Sequence, residues 1–142
     1  DMEKQELTFV NCGHNPVLLL DESGHKLFDQ TSPPLGVVGK EDFSPSIVTL
    51  AYTPLSVLYI VTDGISEAMI KVTKDKEQEI GMEGLLRITQ KQTTLSAIER
   101  AKQTLALIRS QKLRATDDAT ILVIMYEEIA SEASPSKNEN QS

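Results

Sequence analysis

The sequence predicts a layered α+β domain, and three observations favour this class. Apolar runs with the length of strands occur repeatedly within residues 7–61. Two stretches with helical periodicity follow one another at 82–90 and 94–111, and a last apolar strand comes at 121–126. Because strands and helices are grouped rather than alternating one by one, separate layers are favoured over repeated βαβ units.

Short strands are predicted throughout the first fifty residues. They are residues 7–10, 17–20, 25–28 and 46–50. The sequence Asp-Glu-Ser-Gly at 21–24 is typical of a tight turn, so the second and third strands should form a hairpin. The stretches 11–16 and 31–39 contain Gly and Pro and are expected to be irregular connections.

The stretch 57–68 is the one around which the chain is organised. Residues 57–61, Val-Leu-Tyr-Ile-Val, are typical of a strand buried on both faces. The run stops at Thr-Asp-Gly, where Gly64 allows a sharp exit, and a short helix is expected over 67–72. A carboxylate at the end of a buried strand is costly to desolvate without a partner, so Asp63 is a candidate metal ligand. The alternative is a turn role in a common Asp-Gly pair.

Two helices are predicted before the last strand. A polar loop at 73–79 leads to the first helix at 82–90. The second helix, at 94–111, has Thr94 as its predicted N-cap. Its apolar residues recur three and four positions apart, at Leu95, Ile98, Ala101, Leu105 and Ile108. A basic loop at 112–116 then leads towards the last strand.

Composition restricts the class of protein. The formal net charge is -7 and no basic stripe offsets it, which argues against a nucleic-acid or anionic membrane partner. No apolar run approaches the roughly 18–20 residues needed to span a bilayer. A single cysteine, Cys12, cannot form an internal disulfide, which fits a cytoplasmic location. From residue 130 the sequence is polar without periodicity, so we expect a domain at 1–129 and a disordered tail at 130–142.

Acidic residues flank the two most apolar strands. Asp63 follows one strand, and Asp117 and Asp118 precede the other. If these strands are antiparallel neighbours, the carboxylates lie at one edge of the sheet and repel one another unless a cation binds. Hard divalent ions such as Mg²⁺ or Mn²⁺ take oxygen ligands of this kind, whereas His and Cys are too few for a zinc site. A solvated turn is the alternative for the adjacent aspartates.

Five short motifs occur in one order along the chain. They are Asn-Cys-Gly-His-Asn-Pro at 11–16, Pro-Leu-Gly at 34–36, Thr-Asp-Gly-Ile-Ser-Glu-Ala at 62–68, Ile-Gly at 80–81 and Asp-Asp-Ala-Thr at 117–120. This series resembles the C-terminal portion of the SpoIIE/RsbU-type bacterial phosphatases, a branch of the metal-dependent serine/threonine protein phosphatases (the PPM family). The resemblance extends from Leu7 to about Tyr126. It implies a layered β-sandwich flanked by helices, here lacking its N-terminal part.

The resemblance also implies the site. Asp63 and Asp117 would each ligate a metal of a two-metal Mn²⁺ or Mg²⁺ centre, and a metal-activated water would attack the phosphorus of a phosphoserine or phosphothreonine. Asp118 would lie beside these ligands, and Thr120 would match a small hydroxyl residue near the site. No catalytic side chain separate from the metal ligands is implied. The remaining residues expected near the site are Gly64, Asn11, Gly13 and His14.

The sequence departs from the family pattern in several places. The upstream Gly-Asp…Gly-His-Gly motif, which carries another metal-bridging aspartate, does not occur before Leu7. Leu55-Ser56 replaces the usual Gly-Asp before the central strand, and Cys12 replaces a usual alanine. The Asp-Glu-Ser-Gly-His sequence at 21–25 looks similar to the missing motif but follows residues 11–16, so it is interpreted as a hairpin turn. Since the chain also begins with Asp1 rather than Met, we expect a partial domain that is inactive alone.

Two hypotheses of different classes follow. The first is the C-terminal part of a phosphatase that acts on a phosphorylated regulatory protein, such as an anti-sigma-factor antagonist, with any homodimer formed through regions outside this chain. The second is a catalytically degenerate phosphatase-like module that binds a signalling partner. The coding sequence upstream of Asp1 distinguishes them, because only the first requires the missing ligand motif there. A purely structural domain would require all five motif matches to be coincidental.

Overall fold

The structure is a computed structural model, and it describes residues 1, 3–111 and 118–126. The strands in this part of the chain are β1 Glu6–Val10, β2 Val17–Asp21, β3 Gly24–Phe28, β4 Ile47–Ala51, β5 Val57–Val61, β6 Met69–Thr73, β7 Lys76–Glu79 and β8 Ile121–Met125. The helices are α1 Asp63–Ser66, α2 Gly81–Thr89 and α3 Ala97–Gln111. The predicted basic loop at 112–116 and the predicted tail at 130–142 lie outside the described residues.

The central sheet has the strand order β3-β2-β5-β8 and is antiparallel throughout. The β2–β3 hairpin is confirmed, with Asp21 paired to Gly24 at its turn. Strand β5 lies inside the sheet, and its apolar residues are nearly all buried, as the sequence predicts. Strand β8 pairs with β5 so that Val61 is opposite Ile121. The end of β5 and the start of β8 therefore lie at the same edge, which is the condition for the predicted acidic site.

Successive residues of β2 point to opposite sides of the central sheet and divide the core into two layers. One layer lies between the sheet and the antiparallel pair β1–β4. Phe9 of β1 and Phe28 of β3 meet there edge to face, with ring centroids 5.8 Å apart. The fully buried apolar side chains of this layer are Val17, Leu19, Tyr52 and Leu58.

The other layer lies between the sheet and the helices. Leu85 of α2 and Ile108 of α3 are almost completely buried in it, together with Ile65 of α1. The sheet contributes Leu18, Val57, Tyr59 and Val61. Strands therefore cover one side of the central sheet and helices the other, which confirms the predicted α+β class. No helix in the described part of the chain is both long and apolar enough to cross a membrane.

The helix predicted over 67–72 is wrong, and so is the polar loop predicted at 73–79. The helical turn is α1, which begins at Asp63 itself and ends at Ser66. The chain then forms a β-hairpin from β6 and β7, with Met69 opposite Glu79. Strand β6 contains β-branched residues, which favour extended backbone, and the backbone N–H of Ile80 extends the pairing by donating to Ala68 O at 3.0 Å.

The two longer helices are confirmed, but the predicted N-cap of α3 is wrong. Helix α3 begins at Ala97, and Ser96 rather than Thr94 precedes it. Ser96 and Glu99 form a capping box: Ser96 N–H donates to Glu99 Oε2 at 3.0 Å, and Glu99 N–H donates to Ser96 Oγ at 3.4 Å. The hydrogen bond from the Ser96 backbone holds the pKa of Glu99 below its usual value. Helix α2, predicted over 82–90, runs over Gly81–Thr89.

A buried cation connects α3 to the central strand. The Arg100 side chain is 3% exposed, and its Nη1 donates to Tyr59 Oη at 2.9 Å. Its other donors reach the backbone carbonyls of Leu95 and Thr93 at 2.8 and 2.9 Å. Burial raises the pKa of the Tyr59 hydroxyl, and Arg100 partly opposes that shift. Because every partner is an oxygen atom, the guanidinium is solvated by the protein, and it supports strand β5, which leads to Asp63.

Candidate active site

Asp63 stands where β5 ends, as the first residue of α1. Its side chain is exposed, whereas Gly64 and Ile65 behind it are buried. Thr62 precedes it in extended conformation, with φ -80° and ψ 165°. Among residues 3–111 and 118–126, no group donates a hydrogen bond to the Asp63 carboxylate and no cation pairs with it. The carboxylate is therefore accessible to a ligand from solvent.

Thr62 joins the end of β5 to the segment before β8. Its Oγ1 donates to Asp118 O at 3.0 Å and accepts the backbone N–H of Thr120 at 2.9 Å. Its own backbone N–H donates to Thr120 O at 3.1 Å. These three hydrogen bonds bring Asp118 and Thr120 next to the turn of Asp63. Their side chains are exposed at the same edge of the sheet.

Asp117, the second predicted metal ligand, lies outside the described residues, so its role stays a prediction. Asp118, its neighbour, takes part in further interactions beyond the backbone contact with Thr62. The hydrogen bonds of Thr62 bring Asp118 to the edge of the sheet at which Asp63 is exposed.

The loop at 11–16 is built around the side chain of Asn11, which is 5% exposed. Asn11 Nδ2 donates to the carbonyls of His14 and Asn15 at 2.9 and 3.0 Å, and Asn11 Oδ1 accepts the N–H of His14 at 2.8 Å. Gly13 has φ 81°, a left-handed conformation that disfavours other residues. A Cβ on Gly13 would also lie 2.8 Å from Pro34 Cγ, which connects the motifs at 11–16 and 34–36.

This loop is attached directly to the turn of Asp63. Asn15 Nδ2 donates to Val61 O at 3.2 Å and to Ser66 Oγ at 3.1 Å. The ring of His14 is exposed, and its Nδ1 lies 3.4 Å from Asn15 O. Asn11 and Gly13 therefore shape the loop, while Asn15 connects it to the site.

Sequence reasoning missed two of these residues, Asn15 and Thr62. Both lie inside motifs that the sequence singles out, but their partners are 46 and 56 or more positions away. The only local signal is a short polar side chain beside a Pro or an Asp, which is too common to indicate a long-range hydrogen bond.

The Asp21 hairpin is far from this edge. Strand β2 pairs with β5 so that Leu20 lies opposite Val57, which places Asp21 near the start of β5 rather than its end. Asp21 Oδ1 accepts the N–H and the hydroxyl of Ser23, and the hydroxyl hydrogen bond is the main cause of its lowered pKa. Its role is that of a turn residue, as the sequence predicts.

Carboxylate oxygens are the ligands that Mg²⁺ and Mn²⁺ prefer, so the exposed Asp63 fits such a cation in chemistry. The described residues do not provide a complete set of ligands, because nowhere among them do three or more His, Cys, Asp or Glu side chains converge on one point. The site formed by this part of the chain is therefore chemically suitable but partial.

Comparison with known proteins agrees with this geometry. Residues 1–127 match the family described as Stage II sporulation protein E (SpoIIE). The phosphoserine phosphatase RsbP of Bacillus subtilis (strain 168) is 38% identical over 68 residues, which are 47% of this chain and 16% of RsbP.

Two solved structures share the fold at low sequence identity. The SiaA-PP2C domain of Pseudomonas aeruginosa superposes with a TM-score of 0.71 at 15% identity, covering 89% of this chain and 49% of that one. The manganese-presoaked phosphatase domain of SpoIIE from Bacillus subtilis superposes with a TM-score of 0.64 at 17% identity, covering 88% of this chain and 52% of that one.

The chain thus spans about half the length of these solved phosphatase domains, and its match with RsbP covers 16% of that protein. The layered sheets, the order of the motifs and the matched span of 127 residues agree with one another. The chain belongs to the SpoIIE family and shares the fold of the solved PP2C and SpoIIE phosphatase domains.

Proposed function

We propose that this chain is the C-terminal part of a metal-dependent phosphatase that hydrolyses phosphoserine or phosphothreonine on a regulatory protein. The observation that carries the proposal is the exposed, unbonded carboxylate of Asp63 at the edge where β5 and β8 meet. A carboxylate in that position has no structural role within the described residues, whereas a cation ligand must be accessible in this way.

Asp63 and Asp117 would hold a divalent metal, Mn²⁺ or Mg²⁺, with Asp118 beside them. When bound, such a metal supplies a water activated for in-line attack on phosphorus and shields the charge of the phosphoryl group. The chain's own contribution is to fix the position of the carboxylates. Thr62 contributes through its hydrogen bonds to the segment from Asp118 to Thr120.

The substrate is proposed to be a phosphorylated regulatory protein, such as an anti-sigma-factor antagonist. The support is the likeness to RsbP, a phosphoserine phosphatase, over 68 residues. The net charge of -7 is consistent with a protein partner rather than a nucleic acid.

A degenerate module that binds a signalling partner without catalysis is the second candidate. Two observations favour it: Leu55-Ser56 stands where the family motif has Gly-Asp, and residues 3–111 and 118–126 hold no cluster of three metal-ligating side chains.

The test is a phosphatase assay on the natural protein that contains this sequence, including whatever is encoded upstream of Asp1. We expect hydrolysis of a phosphoserine peptide that requires added Mn²⁺ or Mg²⁺ and falls to the uncatalysed rate with Asp63→Asn. The matched control is Asp75→Asn, which makes the same charge change in the β6–β7 turn. Activity that survives thorough chelation would contradict the metal mechanism. A folded but inactive protein that still binds its partner would support the degenerate module.

A further inference from the structure

We propose that Asn15 is a positioning residue, whose side-chain amide fixes the turn of Asp63 and thereby sets the affinity of that carboxylate for a divalent cation. The identity of the ligand rests on the proposed function. The mechanical link between Asn15 and Asp63 rests on geometry alone.

One NH₂ group joins the two ends of the turn. Asn15 Nδ2 donates to Val61 O at 3.2 Å, two residues before Asp63, and to Ser66 Oγ at 3.1 Å, three residues after it. An amide NH₂ has two hydrogens, so both of its donors are used within the turn. Moving Asp63 relative to β5 would break one of these bonds.

The carbonyl of Val61 needs this donor because β2 cannot provide one. Val61 is 1% exposed, and a buried carbonyl left without a donor is costly. Strand β2 pairs with β5 from Leu18 opposite Tyr59 to Leu20 opposite Val57. Continuing that register places Pro16 opposite Val61, and proline has no N–H. The side chain of Asn15 takes the place of the missing backbone donor.

Asn15 is itself held in place from both sides. Its carbonyl accepts a hydrogen bond from Asn11 Nδ2 at 3.0 Å, and Asn11 is buried. Its backbone is restricted to extended conformations because Pro16 follows it. Strand β2 begins immediately afterwards at Val17, inside the central sheet. The amide is therefore a fixed point against which the turn is positioned.

Asp63 depends on this support because its carboxylate receives no hydrogen bond from the rest of the described chain. Within the described residues, the position of the Asp63 backbone is therefore what limits the region that its side-chain rotamers can reach. Residues that orient metal ligands from behind change metal affinity by about 10–100-fold, and a site with few ligands should respond at the lower end.

The experiment uses the whole 142-residue chain labelled with ¹⁵N and titrated with Mn²⁺, whose paramagnetism broadens nearby amide signals even when binding is weak. The readout is the Mn²⁺ concentration that half-broadens the Gly64 amide. Asn15→Leu keeps the volume but removes both donors. Ser66→Ala removes one of the two acceptors of the Asn15 amide, together with the longer hydrogen bond from Ser66 Oγ to Asp63 O at 3.5 Å. Thr104→Val is the matched control, since it removes the buried hydroxyl of α3 that accepts a hydrogen bond from Gln92 Nε2. Asp63→Asn tests the cation site itself.

A second readout is independent of metal. It is the hydrogen-exchange rate of the Ile65 and Glu67 amides, which bond Thr62 O and Asp63 O at 2.9 and 2.8 Å within the turn. A general loss of stability would raise the exchange rates in the Thr104→Val control as much as in Asn15→Leu. Loss of the hydrogen bonds from Asn15 to Val61 and Ser66 should instead raise the exchange rates of these two amides selectively.

We expect Asn15→Leu to raise the half-broadening concentration about tenfold and to speed exchange at both amides. Ser66→Ala should cause a smaller change in the same direction, and Thr104→Val none. If Asn15→Leu does not fold, an unchanged affinity in Ser66→Ala overturns the proposal. Normal affinity in Asn15→Leu, with broadening abolished by Asp63→Asn, would contradict the positioning role alone. Broadening that persists in Asp63→Asn would contradict the proposed metal site and this role together.

Discussion

At the scale of single residues, the site has two kinds of side chain: those of Thr62 and Asn15, which hold the backbone in place, and that of Asp63, which is exposed. Thr62 and Asn15 bond to other groups with their side chains and determine where the backbone lies. Asp63 bonds to none of the described residues with its carboxylate and offers two exposed oxygens. An exposed carboxylate without protein partners is solvated by water, and its oxygens are accessible to a cation.

Asp63→Asn is expected to shift the melting temperature in opposite directions in two buffers. Without metal, the substitution removes one of the like charges at the edge where β5 and β8 meet, so stability should rise by up to about 0.5 kcal/mol. With Mn²⁺ at ten times an expected Kd that is roughly millimolar, the unsubstituted chain should gain about 1.4 kcal/mol from binding, and Asp63→Asn should not. Scanning calorimetry with and without Mn²⁺ measures both differences.

The control for that comparison is Asp75→Asn, which removes a charge in the hairpin turn away from the site. It should respond to Mn²⁺ like the unsubstituted chain. Lower stability of Asp63→Asn in both buffers, or micromolar binding by the unsubstituted chain, would show that the cation site is misplaced or that its ligand set is larger than proposed.

At the scale of elements, sequence patterns predict those helices and strands whose burial follows from their own residues. Strand β5 is apolar at every position, so its burial and the turn at Asp63 follow from the sequence. The helix predicted over 67–72 failed because Met69–Thr73 has both apolar and β-branched residues, and only pairing with β7 decides between helix and strand. The hydrogen bond from Asn15 to Val61 joins residues 46 positions apart, so no pattern of neighbouring residues could predict it.

The packing between β1–β4 and the central sheet includes one polar group with no partner. The Tyr52 side chain is 7% exposed, and its hydroxyl forms no hydrogen bond within the described residues. Tyr52→Phe should therefore leave stability at pH 8 unchanged or slightly higher, because the substitution removes an unpaired buried hydroxyl. Urea denaturation of the two chains checks this result. A loss of more than about 1 kcal/mol would mean that the hydroxyl has a partner beyond these residues.

Tyr52 should also make the protein less stable at alkaline pH. Burial raises the Tyr52 pKa from 10.0 to about 12. Because the unfolded chain loses this proton more readily than the folded one, the free energy of unfolding should be unaffected by ionisation of Tyr52 below pH 10. It should then fall as the pH rises towards 12. Tyr52→Phe should show a smaller decline over that range, with the remainder due in part to Tyr59, whose pKa burial also raises.

At the scale of the whole molecule, this chain has the fold of about half of the solved PP2C and SpoIIE phosphatase domains with which it superposes. Its part of the fold places Asp63, Asp118 and Thr120 at one edge, and the described residues complete no ligand set there. Magnesium and manganese held by two carboxylates retain most of their waters, so the rest of the affinity must come from further ligands. The proposed phosphatase activity therefore requires metal ligands beyond those that the described residues supply.

Crystallographic localisation of manganese tests the central claim most directly. Crystals of the natural protein, soaked in Mn²⁺ well above millimolar, would be measured near the manganese absorption edge. We predict an anomalous peak within about 2.0–2.6 Å of an Asp63 carboxylate oxygen, the range of metal–oxygen bonds to hard divalent cations. The peak should disappear in Asp63→Asn crystals soaked in the same way. A manganese-dependent phosphatase whose anomalous peaks lie away from Asp63, or remain in Asp63→Asn, would contradict the account.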